Sequence, residues 1–234
     1  EANNGWRAYI IKGGPGTGKS SFMKKIAEKA RLENEKYELF PCSSDPNSLD
    51  AVILPEKKVV ILDGTSPHTV DPVYPGVCEE ILNFGEFWKT ELLLDNAKEI
   101  IKLTDKNKSL HRSASRYLQA AGSLLTDNLK TIALSTDKSK TSAFAKKLCK
   151  RYIPKGIGIG YEWERFLEGI TPQGIVSFSD TVLSSCQNTV IIEDAFGSVS
   201  NIIMNRIREY ALSNGYDIIS IKNALLPLTL IDGV

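Results

Sequence analysis

Little in this sequence suits a disulfide framework, a zinc module or a membrane span. Its four cysteines, Cys42, Cys78, Cys149 and Cys186, are widely scattered with no CxxC pair, and only His68 and His111 offer imidazole ligands. Reduced thiols in a cytoplasmic setting are therefore expected. No apolar run approaches the ~18 residues that a membrane span needs. The opening Glu-Ala-Asn-Asn-Gly-Trp-Arg lacks the apolar stretch of a signal peptide, and it begins without Met, so a trimmed start is left open. Excess charge is missing too: 29 basic residues face 28 acidic ones, which gives no long-range pull toward nucleic acid or anionic lipid. The local basic run Lys138, Lys140, Lys146, Lys147, Lys150 and Arg151 reads first as a solvated helix face, with a nucleic-acid role the weaker alternative. What remains is an ordinary globular composition, 42% hydrophobic over 234 residues, enough for one large domain or up to two small ones.

Within that composition one segment stands out. Ala8-Tyr9-Ile10-Ile11-Lys12 is apolar and β-prone, and Ser21 to Arg31 places Phe22, Met23, Ile26 and Ala30 at helical spacing. Between them runs Gly13-Gly14-Pro15-Gly16-Thr17-Gly18-Lys19-Ser20, with Ser21 next. Glycines in a strand-loop-helix setting let the backbone wrap an anion, so that N–H groups and the helix N-terminus point at phosphate. Lys19 then reaches the β- and γ-phosphates of a nucleoside triphosphate and the Ser20 hydroxyl ligates magnesium. The GPGTGKS wording resembles ATP-using P-loops more than GTPases, and no NKxD guanine-reading tetrapeptide follows.

A second apolar stretch, Val59-Val60-Ile61-Leu62, ends in Asp63, where a Walker B carboxylate would sit beside the metal. Asp63 is thus a candidate metal ligand, with a plain Asp63-Gly64 turn as the alternative. Gly64 stands where many ATPases of the additional-strand type carry a catalytic Glu, so rapid hydrolysis is not implied. Tyr37 to Phe40 reads as a short strand and Cys42 to Asp50 as a polar loop. Gly64 to Pro72 leaves the same sheet edge as Asp63 and carries His68 and Asp71 toward a γ-phosphate or acceptor, unless Pro67, Pro72 and Pro75 merely stiffen the loop.

From Glu86 the pattern turns helical, predicting a helical insertion over about residues 79–152 within a nucleotide-binding repeat of residues 1–155. Arg112 and Arg116 lie one turn apart there, as a lid supplying positive charge or as a solvated face. Residues 156–234 carry a second, partial repeat. At one constant offset Ile10, Ile11, Gly16, Met23, Ile26, Glu28 and Ala30 meet Ile191, Ile192, Gly197, Met204, Ile207, Glu209 and Ala211. With short gaps Tyr37 meets Tyr216, and Leu49 to Val52 meets Ile231 to Val234; the apolar patterning common to βα units is the competing explanation. Ser200 replaces Lys19, Asn201 replaces Ser20, Val199 replaces Gly18 and Asp194 replaces Gly13, so this copy should not hold a triphosphate. The register ends before a counterpart of Val59–Asp63. A fragment of a longer protein, or a second half that borrows strands from a partner, is the expectation.

These segments, KGGPGTGKSSFMKKI from Lys12, CSSDPNSLDAVILP from Cys42, VVILDGTSPHTVDPVYPG from Val59 and FLEGITPQGIVSF from Phe166, resemble the tandem-repeat P-loop ATP-binding proteins of Gram-positive bacteria. The resemblance implies nucleotide binding at Gly13 to Ser21, an intact first loop beside a degenerate second one, and Asp45, Asp50, Asp63, His68 and Asp71 as site candidates. Pro41 stands where relatives would carry His, which leaves that position without its expected role. Taken together, the expectation is an α/β three-layer P-loop sandwich with a mainly parallel sheet, a helical insertion and part of a degenerate repeat. Its ligands would be ATP and Mg2+, with Lys19, Asp63, His68 and Asp71 as the reactive groups. An ATPase or phosphotransferase and a nucleotide-gated switch or scaffold with little turnover are the two functions left open, the latter with a protein partner or self-association through the second repeat.

Overall fold

The computed structural model describes residues 4–66, 68–195 and 197–234. Pro67, in the loop expected after Asp63, and Phe196, in the expected second loop, lie outside the described residues. The chain has an α/β architecture and divides into two compact units, Glu1–Asp105 and Lys106–Val234.

In the first unit β1 (Arg7–Lys12) leads through the glycine loop into α1 (Lys19–Leu32), followed by β2 (Glu38–Pro41), β3 (Leu49–Leu54), β4 (Val59–Asp63) and β5 (Glu79–Asn83). The sheet order is β2-β3-β4-β1-β5. The helical spacing of α1 places Met23, Ala27 and Ala30 on one buried face, which packs with Ile11, Val52, Leu54 and Ile61 of the sheet. Each large apolar side chain so buried contributes about 1.5–3 kcal/mol. A 3-10 turn (Phe84–Phe87) and α2 (Thr90–Asp95) follow β5, and Phe84 sets its ring edge-on to Phe22 of α1, with centroids 5.4 Å apart.

The sheet is mixed, where a mainly parallel one was expected. β1 runs parallel to β4 and β5, but β3 is antiparallel to both β2 and β4. The cause is the tight connection Pro55–Lys58, in which the Lys58 N–H donates to the Pro55 carbonyl (3.1 Å) and Lys58 adopts φ 54°. A link that short can only reverse the chain. The polar loop after Cys42 is also shorter than its composition suggests, because Leu49 and Asp50 already belong to β3.

The long helix α3 (Ala97–Ser135) spans the boundary between units and has only Gly122 buried. The second unit continues with α4 (Lys138–Tyr152), β6 (Glu162–Arg165), the hairpin β7 (Glu168–Thr171) and β8 (Gly174–Ser177), α5 (Ser179–Ser185), α6 (Ser198–Ser213), β9 (Ile218–Lys222) and β10 (Ile231–Gly233). Its sheet order is β10-β9-β6, with α4 packed on α6. Glu162 anchors the sheet to α6 by accepting from both Arg208 and the fully buried Ser220. No helix among the described residues is long and apolar enough to cross a membrane.

Several local geometries of α1 recur at α6 in the register that pairs Ala30 with Ala211. Asn34 N–H donates to the Arg31 carbonyl and Glu35 N–H to that of Ala30; Gly215 N–H donates to Leu212 and Tyr216 N–H to Ala211. Asn34 and Gly215 both have positive φ, 55° and 78°, and so do Gly16 and Gly197, 79° and 73°. Each helix leads into an antiparallel pair, β2–β3 or β9–β10, that contains a register irregularity. Two features differ. α6 begins directly after Gly197, whereas α1 waits until Gly18, and Val190–Ile192, aligned with β1, forms no strand.

Candidate functional site

The glycine loop lies at the C-terminal end of β1, where β4 also ends. Gly16 (φ 79°) and Gly18 (φ 88°) occupy the left-handed region, which a side chain would strain, and this lets the backbone turn back into α1 within a few residues. The first intrahelical bond of α1 runs from Phe22 N–H to the Gly18 carbonyl, so the N–H groups of Lys19, Ser20 and Ser21 have no acceptor within the helix. Three donors at a helix N-terminus with no acidic residue in its first turn form a surface suited to an anion.

The Lys19 side chain arches over the loop and donates to the carbonyls of Gly13 (2.7 Å) and Gly14 (3.0 Å). Its ammonium also lies 3.5 Å from the Asp63 carboxylate, and both side chains are largely shielded. Asp63 is fixed in turn by Thr65, whose N–H (2.9 Å) and hydroxyl both donate to it. The Ser20 hydroxyl accepts from Leu49 N–H (3.0 Å), tying the first turn of α1 to the start of β3, and Thr17 closes the loop by donating to the Gly14 carbonyl (2.9 Å). Pro15 lies exposed at the turn. The sequence-expected Lys19 and Asp63 thus meet, while Ser20 is tied to the start of β3.

Of the other expected carboxylates, one lies beside Asp63. Opposite residues of an antiparallel pair share a face. Because Ala51 faces Leu62 in register, Asp50 falls beside Asp63 on the face that carries Val52, Ile61 and α1. Burial pushes the Asp50 carboxyl above its usual range; a hydrogen bond from the Cys42 thiol and the nearby His68 imidazole oppose that push, while Asp63 adds to it. Asp71 is engaged differently: the Lys12 ammonium binds it at 2.6 Å while also donating to the carbonyls of Gly64 (2.8 Å) and Val70 (2.7 Å). Lys12 alternates with Ile11 along β1 and so faces away from α1. Asp45 stays in its own loop, accepting from Asn47 N–H (3.1 Å).

Gly64 is fixed by packing. A Cβ there would stand 2.4 Å from Cγ2 of Ile10 and 2.8 Å from the Val70 carbonyl oxygen, so no side chain, glutamate included, fits after Asp63. Trp88 is the neighbour that sequence reasoning missed: its ring packs against Gly14 while remaining 47% exposed, and nothing in the local pattern around Lys89 announces that contact.

The chain matches no family model, no curated protein and no solved structure.

At the start of α6 the chain supplies a carboxylate of its own. Asp194 accepts from Ser200 N–H (2.8 Å) at the start of α6, and Ser198 and Ser200 are buried. The chain's own carboxylate therefore occupies the place where an anion would meet this helix N-terminus. Asn223 and Asp232 repeat the pairing of Cys42 and Asp50: Asn223 donates to both carboxylate oxygens of Asp232 (3.2 and 3.1 Å), whose pKa burial also raises. Arg112 and Arg116 bond back to their own helix, at the Lys108 carbonyl and the Ser113 hydroxyl. Two concave grooves, of about 580 and 460 Å³, are lined wholly by second-unit residues and hold no cluster of reactive groups.

Proposed function

We propose that the first repeat binds ATP with magnesium and that the chain is a P-loop ATPase or phosphotransferase, built as an α/β P-loop sandwich with a helical insertion, in which residues 156–234 are part of a second, degenerate repeat. The observation that carries this reading is the meeting of Lys19 and Asp63 at 3.5 Å, beside three unspent N–H groups at the start of α1. A cation, a carboxylate and an anion-seeking helix terminus are the complement of a metal-bound triphosphate. The likeness of the motifs to tandem-repeat P-loop ATP-binding proteins supports the same reading, as do the local geometries shared by α1 and α6.

The donor set fits magnesium, which is held through one or two protein oxygens plus phosphates and water. The Ser20 hydroxyl and the Asp63 carboxylate would hold it, and when bound it would neutralise charge on the β- and γ-phosphates. The chain's own residues account for the rest. Lys19 exchanges the Gly13 and Gly14 carbonyls for phosphate oxygen, the N–H groups of Lys19, Ser20 and Ser21 bind the phosphate chain, and Thr65 holds the Asp63 carboxylate in place. His68 and Asp50 would act toward an acceptor, and the Lys12–Asp71 pair fastens the loop after Asp63 to β1.

A second reading, a nucleotide-gated switch or scaffold with slow turnover, is favoured by Gly64, because the packing around it leaves no room for a water-orienting glutamate. Turnover of ATP with and without magnesium, measured beside binding in the same samples, separates the two. Turnover well above that of Lys19→Ala and Asp63→Ala supports the enzyme, tight binding with negligible turnover supports the switch, and no binding at all defeats both. A protein partner or self-association through the second repeat, action in the cytoplasm and ATP as the nucleotide belong to the same proposal.

A further inference from the structure

The long helix α3 leaves one apolar face open along most of its length. Leu103, Leu110, Tyr117 and Leu124 recur every seven residues and are 55%, 59%, 78% and 70% exposed. Ile100, Asn107, Ala114 and Ala121, each three residues earlier, are exposed as well. Together they form a seam of the kind by which two helices interlock knobs into holes. A strict seven-residue repeat held over four heptads calls for a partner helix, where a helix lying on an ordinary core shows a broader stripe. The contact that α3 makes within its own unit uses another face: Gly122 is buried, and a Cβ there would stand 3.3 Å from Cδ2 of Leu226.

We propose that this seam binds the same seam on a second copy of the chain, as an antiparallel pair of helices about a two-fold axis near Arg112. Such an interface sets each seam residue against another of the same set, so the sequence must be complementary to itself. About Arg112 it is. Leu110 meets Ala114 and Leu103 meets Ala121, large against small, while Ile100 meets Leu124. Asn107 meets Tyr117, whose hydroxyl gives the amide a hydrogen-bonding partner. A slip of one heptad would set Asn107 against Leu110 or Leu124, so this polar layer fixes the register. Beyond the seam the next layer is polar on both sides, Asn96 against Asn128.

Charge selects the direction. Lys98–Arg116 holds six basic and two acidic residues, and Tyr117–Ser135 holds one of each. Antiparallel packing lays each basic half along the neutral half of the other copy. Parallel packing would set the two basic halves side by side and place Ala114 on Ala114, with repulsion and a gap. A basic amphipathic helix also suits an anionic lipid surface. The apolar repeat, however, continues through Tyr117, Ala121 and Leu124 where the basic residues stop, which fits a protein partner better than lipid headgroups.

This pairing is independent of nucleotide binding and of any association through residues 156–234. Sedimentation velocity on the full chain without nucleotide tests it. A concentration-dependent dimer is expected. Leu103→Gln with Leu110→Gln should leave a monomer at the same concentration with an unchanged far-ultraviolet spectrum, because both positions are exposed. Leu103→Ala and Ala121→Leu report the direction. Each alone should weaken the dimer about ten-fold or more, by a gap or by overpacking, and the two together should recover most of the affinity because every layer again sets large against small. Four results overturn the proposal: a parent chain still monomeric at about 0.1 mM, a dimer that survives the paired Gln substitutions, a tighter dimer from Ala121→Leu alone, as parallel pairing would give, or a monomer that instead sediments with phosphatidylserine vesicles.

Discussion

At the scale of single residues, Lys19 carries two hydrogen bonds and one ion-pair contact that a triphosphate would inherit. Lys19→Ala should weaken ATP binding by about ten- to a hundred-fold or more, since a charge-assisted hydrogen bond is worth roughly 1.5–3 kcal/mol; titration calorimetry measures it. Gly64→Ala should lower stability by about 1–3 kcal/mol through overpacking, because Ile10 and the Val70 carbonyl already fill the space, and a shifted urea midpoint would show it. Asp50 gives a prediction in pH. Its folded pKa is raised, so its burial is tolerated when it is protonated and costs stability as pH rises through that folded value. Asp50→Asn should therefore be more stable than the parent at pH 7, with the difference vanishing below the ordinary carboxylate range; Glu162, held low first by Arg208, should show the opposite trend and lose its contribution in acid. The meeting of Lys19 with Asp63 was legible in the sequence because it follows from a glycine loop and an apolar strand that end side by side. Lys12 and the placement of Asp50 were not, because both follow from strand register, which a short loop sets and a motif does not encode.

At the scale of elements, α1 and α6 begin in different ways. α6 follows Gly197, and Asp194 reaches its first turn through Ser200 N–H; Asp194→Ala should cost about 0.5–2 kcal/mol, the usual worth of a capping side chain. The loss should appear as faster exchange in the first turn of α6 and leave α1 unchanged. The strand-loop-helix order around the glycine loop was readable because periodicity switches sharply from Ile11 to Phe22. β5 was not, because Glu-Glu-Ile-Leu-Asn has too little apolar alternation to look like a strand, and it gains its place by parallel pairing with β1. Val190–Ile192 shows the reverse: the sequence asks for a strand there, but a strand also needs a neighbour.

At the scale of the whole molecule, the two compact units predict ligand effects confined to one of them. Saturating Mg-ATP at about a hundred times its dissociation constant should stabilise the first unit by about 2.7 kcal/mol and leave the unfolding of the second in place. Protection that extends to α6 would favour the switch over the enzyme. The α/β architecture was legible in the alternation of elements, while the mixed direction of the sheet was hidden in the Pro55–Lys58 turn.

The start of α6 also bears on how the two helices would meet a protease. A helix that supplies its own carboxylate needs no solute to hold its first turn, whereas the first N–H groups of α1 stay open to one. On the proposed reading, limited proteolysis would cut the glycine loop more slowly with Mg-ATP than without it, and cleavage near the start of α6 would not change.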